Sequence, residues 1–222
     1  MRFQVFPGFI ALMAGVVLCV PGRGAQGDAS QADIKGLPAR AAPAEYQSQT
    51  QAGAVTIAAE FKGHMVPTMQ GNLTTEEYVV VEVGLFGPPE ARLYLSSGDF
   101  SLRINGRKVT LPGRPYGMVF ESLKDPEYEP PGGAASKSKG GLRTGGGDRS
   151  EDGSPPPVAK IPVPVQRAMA QRVQRAALPE GDRPLPQAGL LFFQYRGKAQ
   201  GIRAVELIYE GPAGAATLKL QS

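Results

Sequence analysis

The sequence predicts an all-β fold, an antiparallel sandwich of seven or eight short strands. The strand pattern falls into two blocks, residues 78–111 and 189–220, and about seventy residues of poor strand potential separate them. Turn residues lie between the strands, and strands do not alternate regularly with helices, which favours a sandwich over an α/β fold. The two blocks therefore predict one β domain that carries a long insertion.

Two segments, one before the first block and one at its start, predict the early strands. Residues 54–61 are expected to form the first strand, followed by a loop that contains Gly63, Pro67 and Gly71. Residues 78–86 form the strongest predicted strand, because a valine-rich run is typical of a central strand that is buried on both faces.

An Asn-Gly pair marks the turn of a predicted β-hairpin. Asn105 and Gly106 separate two runs with strand character, and this pair favours a two-residue type I′ turn, which needs positive φ at both positions. We therefore expect a hairpin over residues 99–111, and a short strand at 118–120 after it.

The insertion contains one predicted helix. Residues 129–163 are dominated by Pro, Gly, Ser and charged residues and cannot bury enough apolar surface to fold, so we expect disorder there. Pro164 begins a helix that is predicted to cover residues 164–177. The narrow apolar stripe of this helix consists of Val165, Met169, Val173, Ala176 and Ala177.

Positive charge is concentrated in the insertion and its helix. Between residues 137 and 175 there are eight basic and three acidic side chains. Arg167, Arg172 and Arg175 lie largely away from the apolar stripe, so one interpretation is a basic amphipathic helix that contacts anionic lipid or an anionic cell-wall polymer. In the other interpretation the stripe covers an open end or edge of the sandwich and the arginines are solvated. Nucleic acid is disfavoured as a partner, because no aromatic residues interleave the arginines.

The second block predicts a closing β-meander. Residues 190–195 come first, with Leu191, Phe193 and Tyr195 on one face, and strands at 203–209 and 216–220 follow. Together with the first block, this order of strands predicts an immunoglobulin-like sandwich.

The N-terminus has the pattern of a secretory signal peptide. Arg2 precedes an apolar run over residues 9–20, and small residues follow it at candidate cleavage points. We expect a signal peptide at 1–27, a flexible spacer at 28–51, and the sandwich with its insertion at 52–222. The alternative is an uncleaved anchor. Cleavage would place the chain in the periplasm or outside the cell.

Export leaves few side chains for covalent or metal chemistry. Cys19 lies within the expected signal peptide, Leu18 before it disfavours lipidation, and His64 is the only histidine. A Ser-His-Asp triad or a zinc site is therefore disfavoured, and no cofactor or metal is expected. Carboxylates that could hydrolyse a glycoside or bind calcium lie at no diagnostic spacing. They are Glu76, Glu77, Asp125, Glu127 and Glu129.

Four motifs follow one another along the two blocks. They are Tyr78-Val79-Val80-Val81-Glu82-Val83, Ser97-Gly98-Asp99-Phe100-Ser101-Leu102, Leu178-Pro179-Glu180-Gly181 and Val205-Glu206-Leu207-Ile208-Tyr209. Their order resembles the telokin-like, immunoglobulin-fold extracytoplasmic domains of bacterial secreted antigens and envelope proteins, over residues 54–120 and 185–221. The resemblance implies export and a sandwich fold, and it brings no common activity and no catalytic residues. The long basic insertion and the missing lipobox depart from the family's pattern.

The sequence therefore predicts an exported, non-enzymatic interaction or structural module of the bacterial cell envelope. An envelope protein is the first expected partner, and anionic lipid or wall polymer, held by the basic insertion, is the alternative. A secreted hydrolase is less favoured, and no oligomeric state follows from the sequence.

Overall fold

The computed structural model describes residues 35–128 and 161–221. The predicted signal peptide, the first part of the predicted spacer and residues 129–160 of the predicted insertion lie outside these ranges. The described residues form thirteen strands and one α-helix, α1, over Val163–Ala176. The strands are β1 (Ser48–Ala52), β2 (Val55–Gly63), β3 (Met65–Thr68), β4 (Gly71–Thr75), β5 (Tyr78–Phe86), β6 (Arg92–Leu95), β7 (Phe100–Ile104), β8 (Leu111–Arg114), β9 (Leu123–Lys124), β10 (Gly181–Pro184), β11 (Gln187–Gln194), β12 (Val205–Gly211) and β13 (Gly214–Leu220).

Eight strands form one large antiparallel sheet in the order β1-β2-β5-β11-β8-β7-β12-β13. The two edge strands, β1 and β13, lie beside each other. Residues flanking them are in contact: the Gln47 side chain donates to the Gln221 carbonyl at 3.1 Å, and a Cβ on Gly53 would lie 2.6 Å from the Ala213 carbonyl oxygen. The sheet therefore curls until its two halves face each other across a shared interior. The prediction of an all-β, antiparallel, sandwich-like fold is confirmed.

The interior of the curled sheet is the first hydrophobic core, which we call the inner core. Both halves contribute alternate residues to it, as the two-residue period of a strand requires. Its largest members include Ile57, Leu85, Phe100, Leu102, Leu191, Phe193, Leu207 and Tyr209.

A second hydrophobic core lies on the outer face of β5 and β11, and we call it the outer core. The helix α1 and a small sheet of order β3-β4-β9 cover this face. The strand β5 is buried at every position except its last, which confirms the prediction of a strand buried on both faces. The outer core is built from Val66, Leu73, Tyr78, Val80, Val119, Leu123, Met169, Val173, Ala176, Ala177, Leu190 and Phe192.

The predicted hairpin differs in register from the prediction. Asn105 and Gly106 do have positive φ angles of 54° and 65°, and the Arg107 amide closes the turn on the Ile104 carbonyl at 3.2 Å. The return strand, however, begins only at Leu111, where β8 pairs with β7. Residues 105–110 therefore form a wider loop than a two-residue hairpin turn.

Three further segments differ from the sequence predictions. Residues 118–120 do not form a strand: Met118 ends the short 3₁₀ helix Tyr116–Met118, Phe120 begins a second one, Phe120–Ser122, and Val119 lies between them. The predicted loop after β2 contains the antiparallel pair β3 and β4. Part of the predicted spacer lies in the fold, because β1 pairs with β2 and Leu37 bridges to Ala188.

A cluster of four charges fixes the N-terminal segment to the sheet. The Arg40 guanidinium binds both oxygens of Glu82, at 3.2 and 3.1 Å, and also contacts Glu60. The Lys62 ammonium lies 2.7 Å from Glu60 and 3.1 Å from Glu82, and Glu82 is only 8 % exposed. A carboxylate this buried is tolerated because two cations and their hydrogen bonds compensate for its lost hydration.

Acid should weaken this cluster. Burial raises the pKa of Glu60, but hydrogen bonds and charges from Lys62 and Arg40 outweigh it and hold that pKa below the ordinary value of 4.5. A carboxylate whose pKa is lower in the folded state than in the unfolded state stabilises the fold at pH values above its unfolded-state pKa. That stabilisation is lost as the pH falls through its folded-state pKa. In urea unfolding, the stability difference between wild type and Glu60→Gln should be constant near neutral pH and shrink below about pH 4.5. A difference that persists undiminished at about pH 3 would contradict this assignment.

Candidate functional site

The three arginines singled out on the helix do not form one site. The guanidinium of Arg172 is bound by other residues of the protein. It pairs with Asp125 at 2.8 Å and donates to the Gln70 carbonyl at 3.2 Å and to Thr68 Oγ1 at 3.3 Å. Its side chain is 18 % exposed. Arg172 therefore holds the helix against β3, β4 and the 125–127 turn, and its charge is already compensated.

Arg167 and Arg175 are exposed and lie at two separate clefts. Arg167 borders an apolar cleft of about 510 Å³ beside Phe120, Leu123 and Met169. Arg175 borders one of about 540 Å³ beside Lys35 and Met69. Both clefts adjoin an end of a described range, at Ile161 and at Lys35, so the described residues do not show what covers either of them.

The apolar stripe of α1 is not available to a membrane. Met169, Val173 and Ala176 are buried against the sheet in the outer core. The helix thus packs on the sheet face, and not at an end or edge of the sandwich. Within the described residues, no helix is long and apolar enough to span a bilayer.

Three of the carboxylates considered for catalysis or calcium pair with cations. Glu76 pairs with Lys124 at 2.5 Å, and Glu77 pairs with Arg196 at 3.3 Å. Asp125 pairs with Arg172 and also accepts the Glu127 amide at 3.1 Å. Glu129 lies outside the described residues. Residues 35–128 and 161–221 contain no group of three His, Cys, Asp or Glu side chains that could hold a metal ion.

His64 lies at the junction of β2 and β3, half-buried, and both of its ring nitrogens face main-chain oxygens. Nδ1 lies 2.7 Å from the Tyr78 carbonyl oxygen, and Nε2 lies 2.9 Å from that of Gly197. The ring is stacked on Tyr195, with the two centroids 6.4 Å apart. No nucleophile contacts the imidazole among the described residues, so the arrangement holds main-chain segments together.

Those segments lead to a surface that we call the cationic loop end, formed by residues 105–110 and 195–204. The register of β7 and β12 brings the two loops together, since Ile104 pairs with Val205. Asn105 then joins them: its side-chain amide donates to the Gly201 carbonyl at 2.8 Å, and its side-chain oxygen accepts the Arg203 and Ala204 amides at 2.8 and 3.2 Å. Asparagine suits this position because it tolerates the left-handed backbone that the turn needs.

The cationic loop end carries five basic side chains and no acidic one of its own. The five are Arg107, Lys108, Arg196, Lys198 and Arg203, and all are exposed. Only Arg196 has an ion pair within the described ranges, with Glu77 at 3.3 Å. Four uncompensated cations on two joined loops create a local positive potential that attracts acidic partners.

An open cleft lies within this surface. It has a volume of about 520 Å³, and it is lined by Arg107, Gln194, Tyr195, Arg196 and Gly197. Val109 is the one large apolar side chain on the two loops that is strongly exposed, at 77 %. The cleft itself offers positive charge and hydrogen-bond donors beside the half-buried Tyr195 ring.

Sequence reasoning missed this surface and placed the positive charge in the insertion alone. A signal was present, since 105–110 and 195–204 are two acid-free segments, each next to a predicted strand. What the sequence did not show is that these segments, about ninety residues apart, meet at one end of the sandwich.

Comparison with known proteins gives no family. No protein-family model, no curated protein and no solved structure matches this chain.

Proposed function

We propose that this chain is an exported, non-enzymatic interaction module of the bacterial cell envelope, and that it binds an anionic envelope polymer through the cationic loop end. The observation that carries the proposal is the set of four exposed cations without an ion-pair partner in residues 35–128 and 161–221, on two loops that Asn105 holds together. The signal-peptide pattern and the resemblance to telokin-like extracytoplasmic domains support the cellular location.

A polymer fits this surface better than a folded protein partner does. Protein interfaces usually have an apolar or aromatic centre surrounded by a polar rim. The cationic loop end has one exposed apolar side chain, Val109, beside long cationic ones, and its cleft is open. Flexible cations on an open surface can follow repeated phosphate, sulfate or carboxylate groups without a fixed shape.

The helix supports the alternative of anchoring less well. Its apolar stripe is buried, and Arg172 is paired with Asp125. Arg167 and Arg175 keep exposed charges, so they provide a matched control for the loop arginines.

Binding to dextran sulfate, a polyanion that does not titrate near neutral pH, tests the proposal, with uncharged dextran as the blank. Each cation near an anionic surface contributes about 1 kcal/mol, so the double variant Arg107→Gln/Arg203→Gln should bind roughly thirtyfold more weakly. Affinity should also fall as salt is added, because exposed charges are screened.

The control is Arg167→Gln/Arg175→Gln, which removes the same charge from exposed positions without an ion pair in the described part of the chain. We expect this variant to change affinity by less than about threefold. A larger loss in the helix variant than in the loop variant would favour anchoring through the insertion. No binding of the wild type at low salt would overturn the proposed function.

A further inference from the structure

We propose that His64 is a positioning residue that holds the cationic loop end in place when both of its ring nitrogens are protonated, so that acidification strengthens binding of a polyanion. This inference rests on the proposed function and names how that site is regulated.

The geometry requires two donors on one ring. The oxygens facing Nδ1 and Nε2 belong to the Tyr78 and Gly197 carbonyls, at 2.7 and 2.9 Å, and a carbonyl oxygen only accepts. A neutral imidazole carries one N–H and can donate to only one of them. The other nitrogen would then face a carbonyl oxygen lone pair to lone pair, without a proton between them. Only the imidazolium makes both hydrogen bonds.

The two carbonyls belong to different parts of the fold. Tyr78 begins β5 and is buried in the outer core, so its carbonyl is a fixed point. Gly197 lies on the cationic loop end, between Arg196 and Lys198. The backbone of His64 is itself fixed, because its carbonyl accepts the Thr75 amide at 3.0 Å. The imidazole therefore connects an immobile strand to the loop that carries three of the five cations.

The charged surroundings of His64 are largely compensated. The titratable and charged side chains on the neighbouring segments are those of Glu60, Lys62, Glu77, Tyr78, Glu82, Tyr195, Arg196 and Lys198, and Arg107 lines the same cleft as Tyr195 and Gly197. Lys62 pairs with Glu60 and Glu82, and Glu77 pairs with Arg196. Lys198 and Arg107 have no ion pair in the described ranges, so two like charges oppose an imidazolium that two carbonyl oxygens stabilise.

The first readout does not involve binding. His64 is the only histidine of the chain, so its two ring nitrogens give one unambiguous set of ¹H–¹⁵N signals. When the pH is lowered from about 8 to about 5, both nitrogens should carry the protons that the two carbonyl oxygens accept. The carbonyl ¹³C signals of Tyr78 and Gly197 should move together with them. A Gly197 carbonyl signal that does not follow the ring, or that moves equally in His64→Gln, would overturn the inference.

The second readout is affinity for dextran sulfate at the two ends of that range. Wild type should bind roughly fivefold more tightly at about pH 5 than at about pH 8, the factor expected for one added hydrogen bond that orders the loop. His64→Gln should show the same affinity at both values, because glutamine donates without titrating. Equal pH dependence in wild type and His64→Gln would contradict the role of His64 while leaving the proposed function intact. Absent binding in both proteins would contradict the proposed function, and the NMR result would still decide whether His64 closes both hydrogen bonds.

Discussion

Replacing Phe193 by alanine is expected to lower the free energy of unfolding by about 3–5 kcal/mol, and replacing its neighbour Phe192 should lower it by a similar amount. The two rings are 0 % and 1 % exposed. Successive side chains on a strand point to opposite faces, so Phe193 lies in the inner core and Phe192 in the outer core. In a sheet with one solvated face, one of two adjacent strand positions would tolerate alanine. Here neither should, because β11 is covered on both sides.

Urea unfolding of the two variants checks this expectation. Gln194→Ala on the same strand is the control, since its side chain is exposed and the change should stay within about 0.5 kcal/mol of wild type. If Phe192→Ala cost less than about 1 kcal/mol, the layer formed by α1 and the β3-β4-β9 sheet would contribute little to the folded state.

The strands with a strong local pattern could be predicted from the sequence. The valine run of β5 showed both its position and its burial on two faces. The sequence of α1 showed its apolar stripe and, to within one residue, its bounds, since the helix covers Val163–Ala176 where 164–177 was predicted. In these segments the local preference and the final environment agree, which is the condition under which sequence reasoning succeeds. The helix stripe, however, did not show which surface it covers.

The N-terminal segment could not be predicted, because tertiary contacts alone define its conformation. Residues 35–51 lack periodicity, and their order depends on long-range contacts, in which Arg40 reaches Glu82 on β5 and β1 pairs with β2. The register of the hairpin was missed for a related reason. The Asn105-Gly106 turn formed as expected, but the Asn105 side chain binds residues 201–204. These contacts hold residues 105–110 in a loop, and the return strand β8 begins only at Leu111.

The candidate site could not be predicted because its two loops, 105–110 and 195–204, are far apart along the chain. Each of its two loops is unremarkable alone, with two or three basic residues beside a strand. Their joint charge depends on the pairing of β7 with β12, and pairing order in a sandwich is not encoded in any local pattern. A run of basic residues in an insertion, by contrast, is visible at once in the sequence, and one of its three selected arginines, Arg172, proves to be compensated by Asp125.

Replacing Gly189 by alanine should destabilise the protein by about 3 kcal/mol through steric overlap alone. A Cβ at this position would lie 2.4 Å from Leu178 Cα and 2.5 Å from Leu178 N, distances that neither backbone can accept without moving. Gly189 does not have positive φ, so its backbone conformation suits alanine. The loss of stability in this variant therefore reports only the close approach of Gly189 to Leu178. That approach lets the chain leaving α1 lie along β11, where the Leu178 amide donates to the Leu190 carbonyl at 3.0 Å.

Gly117→Ala is the matched control for this prediction, because a Cβ there meets nothing within 4 Å and Gly117 also lacks positive φ. We expect this variant to unfold within about 0.5 kcal/mol of wild type. Hydrogen exchange separates the mechanism from a general loss of stability: in Gly189→Ala the Leu178 amide should exchange faster than the amides of β12, which lies away from the contact. An unchanged unfolding midpoint would mean that the helix exit can shift from β11 without cost. In that case α1 would be held mainly by its buried stripe, and the contact between Leu178 and Gly189 would follow from the helix position without determining it.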